Sequence, residues 1–271
     1  MGHITDLLAP WLSILLSVVT SLAIVLFSGV CFLPFLHRLK YGQSIREEGP
    51  ASHQQKSGTP TMGGVMIVLA VTAATLLFAP LTVTTLLALF IFLGHFLLGF
   101  ADDYIKVVKK RNLGLRAYQK LLGQLFISLV TILIGRALLG HDTSVWVPVL
   151  GEMWDIGALY YVLVVFVLVG TSNAVNLTDG LDGLASGTVA VAALFYAALL
   201  YHADSGLMVF SAAIIGACAG FLWYNHHPAR VFMGDTGSLA LGGALAGIAI
   251  LSHTEALLPI VGFVFVCEAL S

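Results

Sequence analysis

Charged residues are scarce in this chain. Only 10% of its 271 residues are Asp, Glu, Lys or Arg and 59% are hydrophobic, whereas a soluble domain carries roughly 25% charged residues. With a mean hydropathy of +0.98, this composition excludes a water-soluble globule and a disordered chain. The formal net charge of -2 provides no basic surface, so we expect no nucleic-acid partner. The expected solvent for most of the chain is the lipid bilayer.

Cysteine is also rare. The three cysteines, Cys31, Cys218 and Cys267, all lie in apolar stretches, where they are typical of small packing residues. The sequence therefore predicts neither a disulfide framework nor a thiolate metal site.

Long apolar runs dominate what remains. A helix needs about 20 apolar residues to cross the hydrocarbon core of a bilayer, and nine runs approach that length. They cover residues 11–36, 61–79, 81–101, 121–139, 158–175, 184–201, 207–224, 238–252 and 256–270. No linker or internal repeat divides the chain, so we expect one membrane domain over residues 1–271. The predicted fold class is an all-α polytopic integral membrane protein with about nine transmembrane helices.

The cations predict the orientation of these helices. When the nine runs are threaded alternately through a membrane, eleven of the twelve Lys and Arg residues fall in loops on one face, and only Arg136 does not. The positive-inside rule assigns that face to the cytoplasm and the N-terminus to the outside. On the outer face, the β-branched and Trp-containing segment near 144–156 predicts a small β-hairpin.

Carboxylates near hydrocarbon are costly and indicate function. Asp102 and Asp103 follow the third apolar run, where the negative end of a helix would repel them, so they need a cation such as Lys106 or a metal ion. A solvated surface pair is the alternative. All these groups belong to the predicted cytoplasmic face.

Two further polar clusters lie on that face. Asn173, Asn176, Asp179 and Asp182 recur at every third position, which aligns them if the turn stays helical; helix capping by Asp182 is the alternative. The second cluster is the segment 225–238. Its Asp235 could either take part in chemistry or cap the helix that follows.

Together these clusters predict a divalent cation and a polyanionic substrate. The acids come from three loops, and Lys56 and Gly58 come from a fourth. Mg²⁺ fits best, because it prefers oxygen ligands and completes its shell with water and substrate phosphate. Phosphoryl transfer is the chemistry that such a site performs.

Five segments together resemble the phospho-N-acetylmuramoyl-pentapeptide transferases, which belong to the polyprenyl-phosphate N-acetylhexosamine-1-phosphate transferases. The resemblance covers nearly the whole chain. Its segments are Tyr41–Pro50, Lys56–Gly64, Ala101–Lys106, Asn173–Gly183 and Phe232–Ser238.

The resemblance implies a reaction and a site. The reaction is transfer of phospho-MurNAc-pentapeptide from UDP-MurNAc-pentapeptide to undecaprenyl phosphate, which yields lipid I and UMP. The family pattern implies that Asp102, Asp103 and Asp235 are catalytic, and that Asp103 and Asp235 hold the magnesium. The family pattern also implies that a further set of residues binds the substrate around its nucleotide: Lys56, Thr61, Asn176, Asp179, Asp182, Asn225 and Phe232.

The resemblance also implies where the protein lies in the cell and how long its chain should be. It implies a bacterial inner membrane protein with its active site on the cytoplasmic face. The family has ten helices and a cytoplasmic histidine-rich loop before the last, whereas this sequence stops within the ninth run, so we expect it to be truncated at its C-terminus. The oligomeric state stays open between a monomer and a homodimer.

Some questions stay open at this stage. We favour direct attack by the lipid phosphate, with Asp102 assisting its deprotonation; a covalent aspartyl-phosphate intermediate is the competing mechanism. A sister enzyme that transfers GlcNAc-1-phosphate would share the aspartates. A transporter is the alternative of a different class, and it predicts ionisable residues near mid-membrane, a depth that only His95 and Glu268 approach.

Overall fold

The computed structural model describes residues 9–38, 59–109 and 113–271. Eight helices of 15 to 29 residues make up most of this part of the chain. They are α1 (Pro10–Arg38), α2 (Gly64–Phe78), α3 (Val83–Val108), α4 (Ala117–Leu138), α5 (Leu159–Thr178), α6 (Leu184–Leu199), α7 (Ser205–Asn225) and α8 (Gly234–Leu251).

The length and composition of these helices confirm the all-α membrane class. Six of them, α1, α3, α4, α5, α7 and α8, are long and apolar enough to cross a membrane, and α2 and α6 are shorter apolar helices. Each of the first eight predicted apolar runs corresponds to one helix. The orientation in the membrane stays a prediction.

The ninth predicted run does not form one continuous helix. Residues 255–270 fold as a 3-10 turn (Glu255–Leu257), a single turn α9 (Leu258–Val261) and the short helix α10 (Phe263–Leu270). Pro259 lies in the first turn of α9 and Gly262 separates α9 from α10. Proline cannot donate a backbone hydrogen bond and glycine weakens helices, so this segment breaks where these two residues occur.

Helix α8 occupies the centre of the bundle. Nearly all its side chains are buried, because α3 and α5 pack along it. Its sequence is rich in Gly and Ala, and small residues let helix backbones approach closely in a membrane. Gly242 shows the effect, since a Cβ there would lie 2.6 Å from the Cα of Ser172 in α5. Most of α1 and α4 faces outward.

The predicted hairpin is present. Strand β1 (Ser144–Val147) pairs antiparallel with β2 (Glu152–Asp155). His253, just beyond α8, anchors it: its carbonyl accepts from Trp146 N at 3.3 Å and its Nδ1 lies 3.0 Å from Ser144 O. Asp235 lies at the opposite end of α8, about 27 Å away at 1.5 Å per residue. The hairpin and the acidic residues therefore lie at opposite ends of the bundle.

A buried carboxyl group lies beside the hairpin anchor. Glu255 is 3% exposed, and its Oε1 accepts a hydrogen bond from Tyr160 Oη at 2.9 Å. Its Oε2 has no hydrogen-bond partner among the described residues. Burial raises the pKa of Glu255 from 4.5 to about 7, against the opposing effect of its hydrogen bonds.

Glu255 should make the stability of the folded protein depend on pH. Because the pKa of Glu255 is raised in the folded protein, its contribution to the free energy of unfolding is complete below about pH 4.5. This contribution is lost as the pH rises through about 7. Glu255→Gln keeps an acceptor for Tyr160 and removes the charge, so we expect its Tm to exceed that of the wild type increasingly from pH 5.5 to pH 8. The upper bound is about 3 kcal/mol, since one pKa unit corresponds to about 1.4 kcal/mol.

The measurement is thermal unfolding in detergent across that pH range. Glu152→Gln is the matched control, since Glu152 is exposed on β2. Parallel Tm profiles for wild type and Glu255→Gln would contradict the prediction.

Candidate active site

Three aspartates from two helices converge at one end of the bundle. Asp102 and Asp103 come from α3 and Asp235 from the first turn of α8, and one carboxylate oxygen of each lies within 4.8 Å of the others. Asp102 and Asp103 are buried, at 1% and 4% exposed, while Asp235 is partly exposed. Gly99 permits this approach, because a side chain there would collide with the backbone of Asp235. The structure thus brings together the three residues predicted to be catalytic.

The predicted position of Asp102 and Asp103 at the end of a helix is wrong. Helix α3 does not end at Asp102 but continues to Val108, so the two aspartates lie inside the helix rather than at its negative end. The need for a cation remains, because the carboxylates are buried beside one another.

Two lysines supply that cation. Lys106 Nζ lies 2.5 Å from Asp102 Oδ2 and 3.3 Å from Asp235 Oδ2. Lys120 Nζ, from α4, lies 3.1 Å from Asp102 Oδ1 and 2.5 Å from Asp235 Oδ2. Both lysines therefore bridge the same two carboxylates and offset their repulsion.

A backbone amide also fixes Asp102. Its Oδ1 accepts a hydrogen bond from Leu115 N at 2.8 Å. A Cβ at the neighbouring Gly114 would overlap the Asp102 carboxylate, so the turn before α4 needs glycine to approach it. Asp102 is consequently held by three separate groups.

Asp103 caps α8 from another helix. Its Oδ2 accepts from Thr236 N at 2.9 Å and from Thr236 Oγ1 at 2.6 Å. The first N–H groups of a helix lack partners within the helix, and its N-terminus carries partial positive charge. Asp103 therefore both stabilises α8 and fixes the turn that carries Asp235.

Thr61 lies beside this cap. A Cβ at Gly234, whose φ is +74°, would lie 2.8 Å from Thr61 Oγ1. The adjoining backbone is paired across the site, with Phe232 N donating to Pro60 O at 2.8 Å and Gly63 N to Phe232 O at 2.9 Å. The segments that carry Thr61 and Phe232 are thus paired with each other beside the turn that leads to Asp235, while the roles of both residues in substrate binding stay predictions.

The asparagine stripe is only partly helical. Helix α5 ends at Thr178 and Asp179 is its C-cap, so the three-residue spacing does not continue along a helix to Asp182. Asn176 lies in the last turns of α5 and its Oδ1 accepts from Ser238 Oγ of α8 at 2.8 Å. This bond joins the stripe to the helix that carries Asp235.

Asp182 and Asn225 fasten two loops together. Asp182 Oδ2 accepts from Ala229 N at 3.2 Å and lies 3.0 Å from His227 Nδ1. Asn225 Oδ1 accepts from Gly183 N at 3.0 Å, and its Nδ2 donates to Val231 O at 2.9 Å. The loop after α5 is thereby fixed against the loop that leads to Phe232 and Asp235.

Sequence reasoning missed two members of the site. The sequence predicts for Lys120 only a role in setting the membrane topology. For Thr236, in the segment after Asp235, it predicts no separate role. The role of Thr236 could have been predicted from its position in the first turn of a helix, where an acidic side chain can accept hydrogen bonds from unpaired backbone N–H groups. Lys56, predicted to bind substrate, lies outside the described residues, and individual roles for the substrate-binding set stay predictions.

The arrangement suits a metal ion and a phosphorylated substrate. The candidate metal ligands that converge here, within the part of the chain described, are three carboxylates, and hard cations such as Mg²⁺ prefer oxygen ligands. Two ammonium groups and a helix N-terminus add positive charge that would favour phosphate. The donor set therefore fits a divalent cation.

Comparisons with known proteins identify the family of the chain. Residues 84–253 match the model of glycosyl transferase family 4, which defines the class of enzyme. Residues 56–68 match signature 1 of phospho-N-acetylmuramoyl-pentapeptide transferase.

Curated relatives specify the class further. The phospho-N-acetylmuramoyl-pentapeptide transferase of Heliobacterium modesticaldum is 56% identical over 255 residues, covering 92% of this chain and 78% of the relative. The Bacillus licheniformis protein of the same name is 53% identical, covering 95% and 81%, and the Bacillus subtilis one is 55% identical, covering 88% and 75%. The chain belongs to the phospho-N-acetylmuramoyl-pentapeptide transferase family.

Lys120 should be needed for transferase activity. Lys120→Met removes one of the two cations between Asp102 and Asp235, and we expect a rate loss of roughly 100-fold, the usual cost of deleting one charge-stabilising group. Lys109→Met is the matched control, because Lys109 is exposed just beyond α3. Equal activities for the two variants would refute this role.

The hydroxyl of Thr236 should contribute separately. Thr236→Val keeps the shape and the backbone N–H but loses the donor to Asp103, and a hydrogen bond to a charged group contributes about 1.5–3 kcal/mol. We therefore expect at least a tenfold fall in kcat, roughly one decade per 1.4 kcal/mol. Thr236→Ser retains the hydroxyl and should stay near the wild-type rate. A Val variant as active as the Ser variant would show that the hydroxyl has no role.

Proposed function

We propose that this chain transfers phospho-MurNAc-pentapeptide from UDP-MurNAc-pentapeptide to undecaprenyl phosphate, with release of UMP and formation of lipid I. The observation that carries the proposal is the cluster of Asp102, Asp103 and Asp235, in which Lys106 and Lys120 bridge Asp102 and Asp235. The chain is 52–56% identical to transferases of this name. The membrane helices supply the bilayer in which a lipid acceptor would lie.

The proposed reaction balances without an external energy source. An oxygen of the lipid phosphate attacks the sugar-linked phosphorus of the donor, and the bond from that phosphorus to the bridging oxygen breaks. UMP leaves with that oxygen and its electron pair. One phosphoanhydride is exchanged for another, so we expect the reaction to be near thermoneutral and reversible by added UMP.

Lys106 and Lys120 would stabilise the charge that spreads over the phosphate oxygens. Phosphoryl transfer depends mainly on positioning and on electrostatic stabilisation. Both ammonium groups are held in place by Asp102 and Asp235, so they need little reorganisation when substrate binds. Mg²⁺, proposed as the resident cation of Asp103 and Asp235, would supply further neutralisation of phosphate charge.

Direct transfer suits the burial of the aspartates better than a covalent intermediate does. Asp102 is 1% exposed, and its two oxygens already contact Lys106, Lys120 and Leu115 N. An attacking carboxylate would have to leave these contacts. The second pKa of a phosphate monoester is near 6, so the acceptor is largely ionised at neutral pH and Asp102 needs to accept only a residual proton.

The remaining proposals concern the location of the protein in the cell and its orientation in the membrane. We place the protein in a bacterial inner membrane with the aspartates on the cytoplasmic face, where a soluble nucleotide and a lipid phosphate can meet. The eleven cations on that predicted face support this. The oligomeric state stays open, with a homodimer as one possibility.

The decisive experiment measures UMP release by the chain in membranes, with Mg²⁺, undecaprenyl phosphate and UDP-MurNAc-pentapeptide. We expect release with this donor, none with UDP-GlcNAc, a strong decrease with EDTA and loss in Asp102→Asn. The Bacillus subtilis relative serves as positive control. Release with UDP-GlcNAc alone would instead indicate the sister transferase, and no release beside an active control would refute the proposal.

An isotope-exchange experiment separates the two mechanisms. With labelled UMP and donor but no lipid acceptor, a covalent aspartyl-phosphate would return label to the donor. We expect no such exchange until undecaprenyl phosphate is added. Exchange without lipid would overturn direct transfer.

A further inference from the structure

One ionisable side chain in the middle of α3 has no part in the chemistry described so far. His95 lies near the midpoint of α3 and is 0% exposed. Polar groups at this depth are costly and usually functional. A carbonyl can only accept, so the contact of His95 Nδ1 with Ile91 O at 2.9 Å places a proton on Nδ1. Nε2 has no hydrogen-bond partner among the described residues.

The imidazole fills a notch in α8. A Cβ at Gly243 would lie 2.5 Å from His95 Nδ1 and 2.6 Å from its Cγ, whereas ordinary contacts begin near 3.4 Å. Only glycine at this position leaves room for the ring. The hydrogen bond to Ile91 O fixes the ring in that position.

This contact belongs to a row of contacts between α3 and α8, here called the seam, that leads to the aspartates. Ile91, His95, Gly99 and Asp103 recur every fourth residue along α3 and share a face. Opposite them on α8, Ile91 meets Gly247, His95 meets Gly243, Gly99 meets the backbone of Asp235, and Asp103 meets Thr236. From His95 to Asp103 the seam rises about 12 Å, at 1.5 Å per residue.

We propose that His95 is a positioning residue for the phosphotransfer site: seated against Gly243, it sets the separation of α3 and α8, and thereby the approach of Asp103 and Asp102 to the first turn of α8. The inference rests on the proposed function for its kinetic consequence. The packing itself is independent of substrate. His95 does not touch the reacting groups.

A size-compensation cycle tests this role. Gly243→Ala must displace the ring by about 1 Å, and we expect its kcat to fall about 100-fold with little change in the donor KM, as misplacement of that size does elsewhere. His95→Ala should lose about tenfold. If the two residues act through one contact, the double variant should be no worse than His95→Ala, whereas independent effects would multiply to roughly 1,000-fold.

Two further readouts separate positioning from simple loss of folding. Each variant is purified as a monodisperse species, and its kcat is calculated from the concentration of folded protein. The rise in Tm on adding Mg²⁺ reports binding at the aspartates without any turnover; we expect it to shrink in Gly243→Ala and to recover in the double variant. Gly187→Ala on α6 is the matched control, since a Cβ there meets nothing within 4 Å.

Each outcome decides the proposal. Folded Gly243→Ala with kcat and Mg²⁺ response within about threefold of wild type overturns it, as does a multiplicative loss in the double variant. If Gly243→Ala fails to fold, the comparison of His95→Ala with the double variant remains, and a double variant with a lower kcat or a smaller Mg²⁺ response than His95→Ala overturns the proposal. A wild-type chain that releases no UMP contradicts the proposed function instead, while the Mg²⁺ response still tests the seam.

Discussion

Three carboxylates held within 4.8 Å of one another repel strongly at low dielectric, and the architecture of the site follows from that constraint. Lys106 and Lys120 bridge two of them. The third, on Asp103, is bound by the N-terminal turn of α8. These contacts depend on the close approach of α3 and α8, which side chains larger than hydrogen at Gly99 and Gly243 would prevent.

The same packing explains why α8 is buried along most of its length while Asp235 in its first turn is partly exposed. Helix α8 is enclosed by its neighbours, so its first turn is held in place at the rim of the bundle. Around that rim, the side chains of Asp182 and Asn225 join two loops by accepting hydrogen bonds from backbone N–H groups. Two of the residues predicted to surround a nucleotide thus also hold the loops beside the aspartates in place.

Hydropathy was enough to predict the helical class, and the β-branched and Trp-containing segment predicted the hairpin near 144–156. These features arise from composition and from local spacing. The grouping of Asp102 and Asp103 with Asp235 came from the family resemblance, because the residues alone left Asp235 open between chemistry and helix capping. Lys120 and Thr236 were missed because their roles depend on contacts 115 and 133 residues distant in the chain. The break at Pro259 and Gly262 was missed because an apolar run was counted by length, although both residues were visible in it.

Charge balance links the site to its proposed substrates. Three aspartates and two lysines leave one negative charge at the end of the bundle when all are ionised, which favours binding of a cation. With a divalent cation bound, the balance becomes one positive charge, and the nearby N-terminus of α8 adds to it. A site of that sign would attract the diphosphate of the donor and the phosphate of the lipid acceptor. Because Lys106 and Lys120 are each shared between Asp102 and Asp235, their positive charges are held at this end of the bundle, where those phosphates would bind.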